Sequence, residues 1–154
     1  MNSRQYLPLL LLLILCSAMV RAASAQDPKG APIVITTEMI GARYPPMKLR
    51  KQTKSESYGY TEAEPILIGG GFSDGSKRIY SFLNALRGPE GQKVHYDRIG
   101  SCCAFDTPKA AFGGRGLLEH YEITYDGLEE PKDLYFNWYD AQKPLIPVGL
   151  TASP

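Results

Sequence analysis

The pattern of apolar and polar positions predicts one amphipathic helix among several strands. Four apolar residues fall at i, i+3, i+4 and i+7, the spacing of one helix face. They are Ile79, Phe82, Leu83 and Leu86. Ser76 is the candidate N-cap, and Gly88-Pro89 predicts the end of the helix.

The clearest strand pattern lies at residues 120–125, where Tyr121, Ile123 and Tyr125 alternate with polar residues. The aromatic run at residues 134–139 is predicted to pair with it as an antiparallel hairpin with a long loop. Further strands or extended segments are predicted at 33–37, 58–62, 65–68 and 93–99 and near the C-terminus. The fold class expected from these elements is α+β, an antiparallel β-sheet of about five strands with one amphipathic helix packed on it.

The central feature of the chain is the sequence Arg98-Ile-Gly-Ser-Cys-Cys-Ala-Phe105. The strand pattern before it is predicted to stop at Gly100 and to deliver Cys102 and Cys103 as a rigid turn that closes the strand.

The N-terminus is typical of a secretory signal peptide. Arg4 precedes an apolar run, and Ala23-Ser-Ala25 matches a cleavage site. Residues 1–25 are therefore predicted to be removed, which leaves no membrane-spanning segment, since only about a dozen apolar residues stand where a spanning helix needs ~20. The expected location is periplasmic or extracellular. Lipid anchoring through Cys16 is a minority alternative, because Leu15 stands where lipoprotein signals carry a small residue.

After cleavage, residues 26–57 are predicted to form a flexible leader, a first strand and a basic loop, and residues 58–150 a compact α+β domain. Removal of Arg4 and Arg21 from the 17 basic residues leaves 15 against 16 acidic residues, a formal charge of −1. This balance argues against nucleic acid as a partner, because nucleic-acid binding needs a concentrated basic surface.

Cys102 and Cys103 are the two cysteines that remain after cleavage. Export would place them where disulfides persist, and neighbouring cysteines can be joined to each other. A structural role is the first interpretation, with one cysteine side chain buried and one near the surface, as alternation along an extended chain would give. Thiol exchange and a rigid binding platform are the alternatives. The C-x-x-C spacing of oxidoreductases and the ligand spacing of zinc sites are both absent from this sequence.

Two further groups are candidate ligand contacts. Ser76, Lys77 and Arg78 follow a glycine-rich segment and could hold a carboxylate or phosphate, although the sequence departs from the phosphate-loop pattern and a plain capped helix is the alternative. Tyr135, Asn137 and Tyr139 would share one strand face suited to a glycan or peptide, with core packing as the alternative. Arg98, next to the cysteines, is another candidate contact.

The sequence does not supply a full set of catalytic motifs. Gly71-Phe-Ser-Asp-Gly75 has the letters of the G-x-S-x-G pattern, but it is interpreted as the polar turn that leads into the predicted helix. His95 and His120 lie on predicted strands, and the chain has no H-E-x-x-H pattern. Glu119 and Glu122 are expected on opposite faces of one strand, which disfavours a paired-carboxylate site. The sequence therefore predicts no catalytic residues, no cofactor and no metal.

Several motifs together resemble a family of small exported proteins, often lipoproteins, of Bacteroidota-type bacteria. The likeness spans residues 58–150. It rests on the segments Tyr58-Gly-Tyr60-Thr-Glu62, Leu83-Asn-Ala-Leu86, Arg98 to Phe105, Tyr121-Glu-Ile-Thr-Tyr125 and Leu134 to Tyr139. Members of this family often carry the label 2-dehydro-3-deoxyphosphooctonate aldolase, which implies a lyase. The barrel of such a synthase needs ~250 residues, whereas cleavage would leave 129 of the 154 residues here.

The sequence thus favours an exported single-domain binding or envelope-associated module whose partner is an envelope glycan, peptide or protein. The alternatives are an enzyme, including the lyase that the family label implies, and a thiol-active accessory protein that uses Cys102-Cys103.

Overall fold

The computed structural model describes residues 35–111 and 113–154. Its helices are α1 (Thr37–Gly41) and α2 (Gly71–Ala85), and its strands are β1 (Ile66–Leu67), β2 (Leu86–Arg87), β3 (His95–Asp106), β4 (Arg115–Thr124), β5 (Lys132–Asn137) and β6 (Thr151–Ala152). The fold is α+β, as the sequence predicts. The predicted signal peptide, Cys16 and the leader lie outside the described residues.

The main sheet has the strand order β1-β5-β4-β3, and β2 pairs with β6 in a second sheet. β3, β4 and β5 are antiparallel neighbours, which confirms the predicted hairpin, whereas β1 runs parallel to β5. The prediction of a purely antiparallel sheet is wrong at β1. The chain passes through α2 and three more strands after β1, and it returns to the sheet so that β5 runs in the same direction as β1. The described residues place four strands in the main sheet and two in the other, instead of one sheet of about five.

Helix α2 packs on the main sheet with the predicted apolar face. Ile79, Phe82 and Leu83 are fully buried, and the Phe82 ring centroid lies 5.6 Å from that of Phe136. Burial of each such side chain stabilises the fold by about 1.5–3 kcal/mol. We call the sheet face under α2, which carries Phe136, the helix-side face, and the opposite face the outer face.

The start of α2 differs from the prediction. The helix begins at Gly71, and its N-cap is Gly70 with a φ of 101°. Glycine adopts this left-handed conformation without a steric penalty, so the chain turns into the helix before Ser76. Ser76 lies inside α2 and is exposed, and the prediction that it caps the helix is wrong. Leu86, predicted on the helix, is buried as the first residue of β2.

Two predicted extended segments have other structures. Within residues 33–37, Ile33 and Val34 lie outside the described residues, and Thr36 caps α1 by accepting a hydrogen bond from the Met39 N–H at 3.2 Å. The threonine hydroxyl favours a helix start over a strand here. Residues 58–62 form turns, in which Gly59 has a φ of 81° and its C=O accepts from the Tyr135 N–H at 2.8 Å.

Strand β3 does not stop at Gly100 as predicted but continues through both cysteines to Asp106. It is an edge strand of the main sheet, and its register shifts twice against β4. The first shift leaves Ile99 as an extra residue between Arg98 opposite Tyr121 and Gly100 opposite His120. Bulges of this kind let an edge strand continue past an irregular residue, which is why the glycine does not end β3.

Candidate functional site

Four aromatic side chains from three segments meet at one end of the main sheet. Phe72 comes from the first turn of α2, Phe105 from the end of β3, and Trp138 and Tyr139 follow β5. The Tyr139 ring centroid lies 5.8 Å from Phe105, 6.2 Å from Phe72 and 6.1 Å from Trp138. Phe72 is 70% exposed. We call these four side chains, together with the disulfide described next, the aromatic–disulfide surface.

Cys102 and Cys103 are joined to each other by a disulfide. The second register shift of β3 occurs here, because Cys102 lies opposite Leu118 and Phe105 lies opposite Gly116. β3 therefore advances three residues over the length in which β4 advances two, so β3 has one extra residue here. Cys103 has a φ of 57°, the one positive φ of a non-glycine residue in the described part of the chain. Because Leu118 and Gly116 share a face of β4, Cys102 and Phe105 share the outer face of β3.

The sequence predicted one cysteine buried and one near the surface, as regular alternation would give. Both Cys102 and Cys103 are half-buried instead. The bulge that includes Cys103 interrupts the alternation on which that expectation depends.

Asn137 builds the turn that presents the aromatic pair after β5. Its Oδ1 accepts hydrogen bonds from the backbone N–H of Tyr139 at 2.8 Å and of Asp140 at 3.1 Å, and its Nδ2 donates to Asp140 Oδ2 at 3.0 Å. The Asn137 side chain is buried and satisfied within this Asx-type turn. Lys109 holds the other oxygen of Asp140 at 3.0 Å, and the hydrogen bonds from Lys109 and Asn137 lower the pKa of the Asp140 carboxyl.

Two glycines allow the aromatic rings to lie close to the backbone. A Cβ on Gly116 would lie 2.8 Å from Tyr139 Cε2 and 3.0 Å from Phe105 Cζ. A Cβ on Gly75, in α2, would lie 2.8 Å from Trp138 Cβ. Tyr139 therefore covers the outer face at Gly116, while Trp138 packs against the helix.

The residues Tyr135, Asn137 and Tyr139, predicted to share a face, have three different surroundings. Tyr135 stacks on His120, with ring centroids 4.7 Å apart and planes at 10°. Asn137 is buried in the turn, and Tyr139 belongs to the aromatic–disulfide surface. β5 ends at Asn137, so the alternation that would align Tyr139 with Tyr135 ends there as well.

Arg98 lies on the helix-side face, away from Cys102. Its Nε donates to Glu119 Oε2 at 2.7 Å, and its terminal nitrogen donates to Ser101 Oγ at 2.8 Å. Ser101 in turn donates to Glu119 Oε1 at 2.6 Å, and Glu119 is 2% exposed. The hydrogen bond to Glu119 raises the pKa of Arg98. Arg98 thus compensates a buried carboxylate, and the structure does not bring it together with the cysteines. Glu122 is on the other face of β4 from Glu119, as predicted.

Ser76, Lys77 and Arg78 lie on the exposed side of α2. Lys77 Nζ forms an ion pair with Asp74 at 2.8 Å, and Arg78 Nε donates to the Ile68 carbonyl at 2.7 Å. Lys77 and Arg78 line an open cavity of about 340 Å³ in which Ser76 takes no part. Asp74 neutralises Lys77 there, so the anion contact remains a prediction.

Phe72, Phe105, Lys109, Trp138 and Asp140 are not among the site residues that the sequence predicts. One signal could have found Phe72, which is an isolated aromatic in the glycine-rich polar segment of residues 69–76. Such a segment offers few apolar neighbours to cover it, so an exposed aromatic side chain could be expected.

Residues 35–111 and 113–154 hold no group of three or more His, Cys, Asp or Glu side chains arranged to bind a metal ion. Within the same residues, none of the helices has the length and apolar character to cross a membrane.

Comparison of the chain with protein-family models, with curated proteins and with solved structures gives no match in any of the three. The fold and the site therefore define the protein as a small α+β protein with a vicinal disulfide beside one exposed and three half-buried aromatic side chains.

Proposed function

We propose that the protein is an exported, non-enzymatic binding module and that the aromatic–disulfide surface is its contact surface. Export is supported by the sequence alone, through the basic, apolar and small-residue order of residues 1–25. The proposed partner is a component of the cell envelope.

One observation carries the proposal: three distant segments converge to hold aromatic rings at the surface. Phe72 remains 70% exposed although a buried core lies close by in the same helix. Exposed aromatic clusters are enriched at interaction sites, because each ring supplies a large apolar area with little conformational freedom to lose.

The local construction supports the same function. Asn137 uses its whole side chain to fix the turn before Tyr139, and the bulge at the disulfide brings Phe105 to the face that Tyr139 covers. A rigid surface of this kind lowers the ordering cost of binding.

The test is co-sedimentation of the purified protein with isolated cell envelopes of a Bacteroidota species. Phe72→Ala and Tyr139→Ala should each reduce the bound fraction, with about a 2- to 10-fold weaker apparent affinity. Tyr135→Ala is the matched control, because this tyrosine is on the same sheet but stacks on His120 outside the surface. Equal sedimentation of all four proteins, or no sedimentation of the wild type, would refute the proposal.

A second candidate, the thiol-active accessory protein, is favoured by the half-buried position of the Cys102–Cys103 disulfide. In this function a partner dithiol would reduce the disulfide to two thiols and would itself become a disulfide. Trapping with a single-cysteine variant of thioredoxin, the probe dithiol protein, tests it. A mixed disulfide with Cys102 or Cys103 supports the function, and a disulfide that stays intact under these conditions excludes it.

A further inference from the structure

We propose that the ligand of the aromatic–disulfide surface is a neutral saccharide, held by stacking of sugar rings on Phe72 and Tyr139. This inference rests on the proposed function, because it names the chemistry that the same surface would recognise.

The arrangement of the rings suits a saccharide. The ring planes of Phe72 and Phe105 are at 89° and 75° to the ring plane of Tyr139, so the ring faces point in different directions and do not form one flat stack. The negative face of an aromatic ring attracts the positively polarised C–H groups that cover one side of many sugar rings. Aromatic rings that face different directions can each contact one of several successive sugar units that are rotated relative to one another.

The charges around the surface favour a neutral ligand. Lys109 is paired with Asp140 at 3.0 Å, and Arg115 lies 3.9 Å from Asp106. Each pair joins one positive and one negative side chain, and Asp106 and Asp140 each directly follow an aromatic residue of the surface in the chain. The two pairs together carry no net charge and so give no net attraction for an acidic or basic ligand. Sugar hydroxyls can accept from Lys109 and donate to Asp140 without breaking that ion pair, because a hydroxyl is both donor and acceptor.

The edge of the sheet beside the surface is poorly suited to an extended peptide. Peptides commonly bind by adding a strand to an edge strand, through a regular row of backbone hydrogen bonds. β3 is the edge strand here, and its two register shifts, at Ile99 and at the disulfide, interrupt that row. Side-chain stacking is therefore the mode of binding that the surface supports better than strand addition.

The test uses defined soluble probes and the fluorescence of Trp138, which is the single tryptophan of the sequence and lies 5.7 Å from Phe72 between ring centroids. The purified protein is titrated with neutral hexasaccharides of β-1,4-linked glucose, β-1,4-linked N-acetylglucosamine and α-linked mannose. An acidic galacturonate oligosaccharide and an unstructured peptide are the comparison probes. Isothermal calorimetry confirms each fluorescence change.

We expect at least one neutral hexasaccharide to bind, with about a 2- to 10-fold loss of affinity in Phe72→Ala and in Tyr139→Ala. Tyr135→Ala should keep the wild-type affinity, and thermal melts of all variants verify folding. Phe72 is mostly exposed, so its removal tests binding even where Tyr139→Ala loses stability.

The outcomes separate this inference from the function on which it rests. If the peptide or the acidic oligosaccharide binds and the neutral hexasaccharides do not, with the same two variants impaired, the inference is overturned and the binding surface stands. If none of the probes binds while envelope co-sedimentation still depends on Phe72 and Tyr139, the inference is again overturned. If neither assay shows dependence on these residues, both proposals fail.

Discussion

Substitution of Gly116 by alanine should displace the centre of the aromatic–disulfide surface without removing an aromatic ring. The new Cβ would lie 2.8 Å from Tyr139 Cε2 and 3.0 Å from both Phe105 Cζ and Thr107 Cγ2. Ordinary contacts of a Cβ begin at 3.4 Å, so the Tyr139 ring must move by about 0.6 Å. Phe105 and Thr107 are crowded at the same time, which limits how the ring can move.

Two effects of opposite sign decide the stability of this variant. Alanine in a strand interior is about 0.5–1 kcal/mol more favourable than glycine. Overpacking of a closely packed site costs about 1–3 kcal/mol. The clash should dominate, because three neighbours are affected at once, and the net loss should be about 1–2 kcal/mol, equivalent to a melting temperature lower by roughly 4–8 °C.

The assay for Gly116→Ala is a thermal melt together with the fluorescence spectrum of Trp138, which adjoins Tyr139. The control is Thr124→Ala, an exposed position at the other end of β4, which should stay within about 0.5 kcal/mol of the wild type. A melting temperature and a spectrum equal to those of the wild type would show that Tyr139 does not cover Gly116 in solution. Tyr139 would then not lie at the centre of the aromatic–disulfide surface.

Two predictions concern the side of the fold where α1 meets α2. Asn84 Nδ2 donates to the carbonyls of Gly41 at 3.0 Å and Tyr44 at 2.8 Å, and its Oδ1 accepts from the Tyr96 hydroxyl at 2.8 Å. Loss of these three hydrogen bonds in Asn84→Ala should lower the free energy of unfolding by about 2–3 kcal/mol in denaturant melts. The exposed control Ser76→Ala should lower it by less than ~0.5 kcal/mol. Equal stability of the two variants would contradict this role for Asn84. Burial raises the pKa of Tyr96 to about 12 from an ordinary value of 10.0, so its contribution to stability should be complete below pH 10 and should be lost as the pH rises towards 12. Ultraviolet absorbance of the phenolate measures this, and ionisation of every tyrosine near pH 10 in the folded protein would contradict it.

The sequence is sufficient to predict the elements whose patterns are local. The spacing of Ile79, Phe82 and Leu83 predicts α2, and the alternation around Tyr121 and Ile123 predicts β4, because one buried face imposes its period on each segment. The boundaries are less predictable, since Gly70 starts α2 through a left-handed conformation that the apolar pattern does not reveal. The parallel pairing of β1 with β5 depends on how distant segments return to the sheet.

The candidate site could be predicted only in part for the same reason. Tyr139 and the cysteines stand out in the sequence, but the partners of Tyr139 come from α2 and from the end of β3. Arg98 stands out beside the cysteines too, yet its partner is Glu119 on the neighbouring strand. Proximity in sequence therefore suggests that Arg98 acts together with the cysteines, which the fold does not bring about. It does not reveal the contacts of Tyr139 with Phe72 and Phe105, which the fold does make.

The disulfide and the aromatic rings are connected through the face on which each residue of β3 lies. In an uninterrupted strand, Cys102 and Phe105 would point to opposite faces, because they are three positions apart and faces alternate at every position. The extra residue of the bulge at Cys103 places Phe105 opposite Gly116, so Phe105 and Cys102 lie on the same face of the sheet. The disulfide spans two residues of that bulge, and it restrains the backbone conformation on which the position of Phe105 depends. A structural role of the cysteines and a binding role of the surface are thus one interpretation: the covalent ring keeps an aromatic contact residue on the outer face.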